Sequence, residues 1–136
     1  MRYMLLIYTR EDARARRSQE EMLQVMNEHL AVMEEARAKG VFEAAEPLEN
    51  TSTARTVRLQ NGAPIITDGP FAETKEQLAG YYILDCKDLD EAIGWAARIP
   101  TACGGLEGGV EVRALQAIPT NEKELQLAMG APARNG

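Results

Sequence analysis

The spacing of hydrophobic positions along this chain changes several times, and each change marks an element. Arg2 to Tyr8 is apolar at nearly every position, the pattern of a strand with dry faces on both sides. The period then lengthens: Met22, Val25, Met26, Leu30, Met33 and Ala36 recur three to four residues apart. That spacing predicts a helix opened by the capping pair Ser18 and Glu21 and ended by Gly40. Val41 to Ala45 reads as a short second strand leading to Glu46-Pro47, and Asn50-Thr51-Ser52-Thr53 as a polar connection. Ala54 to Leu59 and Ala63 to Thr67 flank Asn61-Gly62, a hairpin signal because both residues tolerate positive φ. Gly80 to Cys86 is a further strand. Asp88 and Glu91 then cap a helix carrying Leu89, Ala92, Ile93, Ala96 and Ala97, which Pro100 closes. A glycine-rich link, Gly104 to Gly109, leads into Val110 to Ile118, where Val110/Glu111/Val112/Arg113 alternate as in a half-exposed strand. A short helix at Glu122 to Met129 precedes a frayed end from Gly130 to Gly136.

The order β-α-β, hairpin, β-α-β predicts an α+β fold, a ferredoxin-like split βαβ sandwich with an inserted hairpin over residues 1–118, followed by a polar tail over 119–136. Two helices on one side of a single sheet leave its other side bare. Tyr3, Leu5 and Ile7 or their alternates, with members of Tyr81 to Leu84, would form a patch that a soluble monomer rarely exposes, so a homodimer is expected.

Composition narrows the partners. At 136 residues and 45% hydrophobic, the chain fits one domain with a real core. Fifteen basic against twenty-one acidic residues give a net charge of -6. The basic residues are scattered, apart from Arg14-Ala15-Arg16-Arg17 beside Glu11-Asp12, which argues against nucleic acid or an anionic membrane as partner. The apolar run at the N-terminus is too short for a signal or a span, so a cytoplasmic protein is expected. On the same ground the formal glycosylation match at Asn50-Thr51-Ser52 has no occasion to be used. Cys86 and Cys103 lack C-x-x-C spacing and there is a single histidine, so no metal site is expected and both cysteines read as reduced thiols. The glycine-rich link lacks the lysine and serine or threonine of a phosphate-binding loop, and with no dinucleotide fingerprint either, no cofactor is expected.

The segment Ile66 to Tyr82 concentrates the candidate chemistry, because it places a polar turn with Asp68, Glu73 and Lys75 between two strands. Asp68 either caps the amides of the Gly69-Pro70 turn or orients His29. Glu73 and Lys75 are candidates for a polar ligand or a solvated ion pair. His29 shares the apolar stripe of the first helix, so it is either satisfied at the helix-sheet interface or turned toward a ligand as an acid or base. Tyr81 and Tyr82 point to opposite faces, and Tyr81 is taken as the residue that reaches the cleft. Arg55 and Arg58 lie on opposite faces of the hairpin, where either meets an anion or solvent, with Arg55 taken as the ligand contact. Phe71 is expected to plug the core or a dimer seam, and Trp95 to anchor the second helix.

Asp68-Gly69-Pro70-Phe71-Ala72-Glu73-Thr74-Lys75-Glu76, the following Gly80-Tyr81-Tyr82, the opening Tyr3-Met4-Leu5-Leu6-Ile7-Tyr8 and the closing Val110-Glu111-Val112-Arg113 together resemble the YCII-related family, in the branch named after its Asp-Gly-Pro-Phe string. The resemblance covers about Met1 to Leu115 and implies a fold of the dimeric α/β-barrel type with a cleft in each subunit. It also implies a catalytic pair, in which His29 resembles the family histidine and Asp68 is the candidate aspartate. Ala114, where many relatives have proline, and the glycine-rich segment depart from the family pattern. The resulting expectation is a small-molecule-binding protein with cofactor-independent acid/base chemistry by His29 and Asp68. The alternative is a noncatalytic regulatory or protein-interaction module, with a histidine bonded to backbone in a cleft lacking a second titrating group. An inert structural dimer would instead fill the cleft with side chains.

Overall fold

In the computed structural model, which describes residues 1–100 and 108–130, the elements run β1 (Arg2–Thr9), α1 (Glu11–Ala15), α2 (Gln19–Ala38), β2 (Phe42–Pro47), β3 (Arg55–Gln60), β4 (Ala63–Asp68), β5 (Gln77–Asp85), α3 (Leu89–Ala96), β6 (Gly109–Ala114) and α4 (Glu122–Ala128), with a 3₁₀ turn at Thr51–Thr53. Cys103, most of the glycine-rich link and all but the first residue of the frayed end lie outside the described residues.

Local chemistry sets most boundaries. Ser18 and Glu21 form the capping box of α2, with Ser18 Oγ accepting from the Glu21 amide at 3.1 Å and the Glu21 carboxylate accepting from the Ser18 amide at 3.0 Å. Gly40 ends that helix at φ +74°, a conformation that disfavours any side chain. Asp88 caps α3 and Asn121 caps α4, each side chain accepting from the amide three residues on, without the reciprocal bond of a capping box. Asn61 and Gly62, at φ +52° and +79°, close the β3–β4 hairpin as a two-residue loop with Gln60 opposite Ala63. The helix α1 is absent from the hydrophobic pattern. It has no side-chain cap and is held from a distance, its Glu11 carboxylate accepting from the Thr51 amide at 2.8 Å and the Thr51 hydroxyl at 2.9 Å.

The fold is mixed α/β with two sheets. The first is four-stranded, in the order β2-β5-β1-β6, and every pairing in it is antiparallel. The second is the separate two-stranded ribbon β3-β4. This corrects the expectation of a ferredoxin-like sandwich of the dimeric α/β-barrel type: the larger sheet is open, with β2 and β6 at its edges, and no barrel closes. A closed barrel with its interior just filled takes about eight strands, twice what this sheet supplies. The hairpin does not extend the sheet either, and stands as its own ribbon.

Both longer helices pack on one face of the four-stranded sheet. Tyr3, Leu5, Ile7, Tyr82 and Leu84 from the strands meet Val32 and Ala36 of α2 and Ala92 and Trp95 of α3 in one buried cluster. Trp95 thus anchors α3, as its size suggested. Phe71 does not plug the core: it is exposed on the segment after the ribbon, with the Arg58 guanidinium 4.7 Å from its ring centre. Cys86 is a free, buried thiol whose pKa burial pushes up to about 11.

Two irregularities shape the sheet beside α2. Between Ile7 and Tyr8 the β1-β5 register slips, leaving Ala79 as an extra residue on β5. At the adjacent Gly80, β2 comes in so close that a Cβ would lie 2.8 Å from the Glu46 carbonyl oxygen and 3.1 Å from Pro47 Cα. Pro47, which has no amide to give, is tolerated because β2 is an edge strand. Gly80→Ala is therefore expected to destabilise the fold by roughly 1–3 kcal/mol, the usual cost of overpacking. A denaturant midpoint equal to that of the parent protein would show that β2 can move aside freely.

Candidate functional site

The N-terminal half of α2 presents its apolar stripe to empty space. Met22, Met26 and Leu30 are 50, 55 and 49% exposed, whereas Val32 and Ala36 further along the helix are buried. Between this half-helix and the sheet lies a cavity of about 420 Å³, within the range of about 300–1,000 Å³ typical of small-molecule pockets. Helix α2 supplies Val25, Met26, His29, Leu30 and Met33 to one wall, and Ile7, Thr9, Gly80 and Tyr82 form the strand side. The end of β2 from Ala45 to Leu48 closes one flank, and Arg14 and Arg17, before α2, add positive charge.

His29 Nδ1 and Tyr82 Oη are 2.7 Å apart, joining the middle of α2 to β5. The two rings stack loosely, with centroids 5.9 Å apart and planes 27° from parallel. Burial pushes Tyr82 up to about 12, so its phenol keeps its proton at neutral pH. Burial likewise lowers the His29 pKa below its ordinary value of 6.5, with the Arg17 charge adding to the fall and Glu28 opposing it. The neutral imidazole therefore dominates near pH 7. With Tyr82 donating to Nδ1, the imidazole carries its proton on Nε2 and offers it as a donor. With the other tautomer, Nδ1 donates to the phenol and Nε2 is a base.

Two further polar groups belong to residues that border the cavity, the first of them on the far face of the sheet. The Tyr81 hydroxyl donates to the Glu46 carboxylate at 2.9 Å, and that bond raises the phenol's pKa. Thr9 is buried and its Oγ1 has no hydrogen-bond partner among the described residues. An unpaired buried hydroxyl costs about 1–3 kcal/mol, and this one belongs to a residue of the cavity wall.

Of the candidate site residues singled out from sequence, His29 and Tyr81 border the cavity, but the Tyr81 side chain leaves its strand on the face opposite Tyr82. It does not bring Asp68 to His29. The Asp68 carboxylate is 88% exposed at the end of the ribbon, 3.1 Å from Arg55 Nε. Its turn is closed by backbone, with the Gly69 amide donating to the Ala54 carbonyl at 2.8 Å and Gly69 at φ +103°. Glu73 and Lys75 are exposed on the segment between β4 and β5 and do not line the cavity. Tyr82, Thr9 and Arg14 were missed. Sequence held no signal that chose Tyr82 over Tyr81, and for Arg14 the signal was its place in a basic run on an acidic chain. Among the described residues no group of three or more His, Cys, Asp or Glu side chains could hold a metal ion, and no helix is long and apolar enough to cross a membrane.

Fold and cavity together define a small α/β protein with a histidine-tyrosine pair in an apolar, helix-covered pocket. Residues 1–116 match the model of the YCII-related domain, and the chain belongs to that family. It is also 40% identical over 115 residues to an uncharacterised protein of Rhizobium meliloti (strain 1021), a match covering 85% of this chain and 92% of that relative.

The buried pair links pH to stability in two windows. Because the folded pKa of His29 is lowered, the unfolded chain binds the extra proton first as pH falls below about 6.5, and stability declines toward the folded pKa. Because the folded pKa of Tyr82 is raised, its contribution is present below about pH 10 and is lost between there and about 12. His29→Gln is expected to flatten the acid slope. Tyr82→Phe is expected to remove an alkaline loss on the order of 2–3 kcal/mol. Urea unfolding at intervals from pH 5 to 11.5 checks both, and unchanged slopes in the variants would place the titrating groups elsewhere.

Proposed function

We propose that this protein binds a small organic molecule in the cavity under α2, and that His29 is the group there that accepts or gives a proton. The observation that carries the reading is the 2.7 Å contact of His29 with Tyr82 inside an open cavity. A cleft filled with side chains would have favoured an inert role, and a histidine bonded to backbone would have favoured a purely structural one. Here the imidazole has a side-chain partner, Tyr82, is neutral near pH 7 and belongs to a residue of the cavity wall. Asp68 takes no part in the proton transfer proposed. The Asp68-Gly69-Pro70-Phe71 string supports placing the chain in the branch of the family named for it, and its role in this reading is to shape the turn after the ribbon.

As the chain's single histidine, His29 reports on occupancy directly. Titration with fractionated small molecules is expected to shift its ring resonances saturably, and Met26→Trp, which fills the cavity, is expected to abolish the shift. For a molecule that also turns over, His29→Gln should lower kcat by about 10²–10⁴-fold, the range of general acid-base catalysis. Saturable binding with turnover unaffected by His29→Gln would leave binding and remove the acid/base role. Shifts that persist in Met26→Trp would place the ligand elsewhere.

The chain also acts as a homodimer in this reading. Val57, Leu59 and Ile66 lie exposed on one face of the ribbon, and Met4, Leu6, Tyr8 and Ile83 are half-buried on the sheet face opposite α2. A two-stranded ribbon is marginal without a packed face, and a second copy is the partner present wherever this chain is. Light scattering after size exclusion is expected to give twice the chain mass for the parent protein and a monomer for Ile66→Lys. A monomeric parent protein would sink the homodimer.

A further inference from the structure

The charge of the cavity runs against that of the chain. The whole sequence carries -6, yet the cavity lining includes two arginines, Arg14 and Arg17, of which Arg17 also acts on the Glu21 carboxylate. Glu46, whose residue also borders the cavity, has its carboxylate on the other face of the sheet, where it accepts the Tyr81 hydroxyl at 2.9 Å. Much of the remaining wall is apolar, including three methionines, Met22, Met26 and Met33. A basic end on an otherwise apolar pocket, set in an acidic protein, focuses a local field that draws in anions and leaves an apolar body to be buried.

We propose that the ligand is an amphipathic carboxylate, its head held by Arg14 with Arg17 beside it and its apolar body lying along the methionine wall of α2. This rests on the cavity being a small-molecule site. Arg14 is half-buried and held in place before any ligand arrives. Its Nη2 donates to Asn50 Oδ1 at 3.1 Å, and the short helix that carries it is pinned on two sides. The Glu11 amide donates to Gln77 Oε1 at 3.0 Å, and the Glu11 carboxylate accepts from the amide and hydroxyl of Thr51. Among the described residues Arg14 has no carboxylate partner, so its remaining guanidinium donors are available to an incoming one. Pre-placement lowers the ordering cost that a flexible arginine would otherwise bear on binding. The methionines suit a body of variable shape, since unbranched thioethers repack at small cost. A cationic ligand would meet the Arg14 guanidinium, and a wholly apolar one would gain nothing from it.

Octanoate, 1-octanol and octylamine share one body and differ in the head group, so they separate the head-group claim from the cavity itself. Each is titrated into the full chain, below its aggregation limit, while the His29 ring resonances are followed. Octanoate is expected to bind about tenfold more tightly than octanol, the scale of one charge-assisted hydrogen bond, with octylamine weakest. Arg14→Gln should bring octanoate down to the affinity of octanol while leaving octanol unchanged, which also shows that the variant is folded. Arg14→Lys should recover part of the preference, and added salt should erode it. Octanol binding as tightly as octanoate, or octylamine more tightly, overturns the carboxylate assignment and leaves the cavity a binding site. No saturable shift with any of the three overturns the assignment, and if fractionated small molecules also fail to move His29, the binding reading falls with it.

Discussion

The hydrogen bond between His29 and Tyr82 is the contact on which the rest of the site depends. It joins α2 to β5 where the apolar stripe of the helix leaves the sheet, with Val32 and Ala36 buried beyond it and Met22, Met26 and Leu30 exposed before it. A helix with half of an apolar face unpacked gains by settling onto the sheet, at about 25 cal/mol for each Å² of apolar surface covered. Settling would have to move or break a bond between two partly or fully buried polar groups, and leaving either unpaired costs about 1–3 kcal/mol. The pair therefore acts as a spacer, whatever part it takes in the proposed proton transfer. Glycine at position 80 has the complementary role on the sheet side, letting the Glu46-Pro47 backbone approach within a distance that a Cβ would forbid.

Long-range polar ties, rather than exposed ion pairs, hold the charged side of the cavity. The contacts of Glu11 with Thr51 and Gln77 are partly buried and join three segments far apart in sequence. The pairs Arg2–Glu43 and Arg55–Asp68 are solvent-exposed, and such pairs contribute about 0–1 kcal/mol. Removing the Glu11 carboxylate would thus release α1, and with it Arg14, while removing an exposed partner would leave the site in place. The same comparison explains why Asp68 can be conspicuous in the sequence and yet contribute little to the architecture of the cavity.

Features decided within a few residues were legible in the sequence. Ser18 with Glu21 and Asn61-Gly62 are realised in full, while of the box at Asp88 and Glu91 only the Asp88 cap forms, the Glu91 carboxylate accepting from the Lys87 amide instead. What depends on distant contacts was not legible. Helix α1 is five residues long and anchored by a bond to Thr51, forty positions away, so no periodicity announced it. The stripe Met22–Leu30 has the same spacing whether it packs on a sheet or lines a cavity, so His29 was correctly placed on an apolar face but the empty space before it was not foreseen. Tyr81 and Tyr82 sit in a strand whose two faces both carry apolar residues, and parity could not say which face the helices cover. The expected barrel failed for a related reason. Alternation reveals that a strand has two dry faces, but not whether its sheet closes, and here β2 and β6 end as edges.

Residue types dictated by the backbone also explain why the most distinctive string is not where the cavity lies. Gly69 at φ +103° must be small, Pro70 fixes the chain that follows, and Asp68 faces solvent beside Arg55, so the string is accounted for by the exit from the ribbon. The cavity is built from residues that look ordinary: methionines, a threonine, an arginine in a basic run. Among them Thr9 is the one whose chemistry is unfinished, because its buried hydroxyl has no partner while its residue faces the wall of the cavity. A step to another χ1 rotamer redirects the hydroxyl of a threonine, so a polar atom in the cavity can satisfy a group that the empty protein leaves unpaired. Occupancy would then remove a penalty that the folded chain otherwise carries, and by mass action any ligand of the folded state raises its stability as well. In the proposed reading, binding and stability would be coupled through that one hydroxyl, and its missing partner is a physical reason for the fold to favour an occupied cavity.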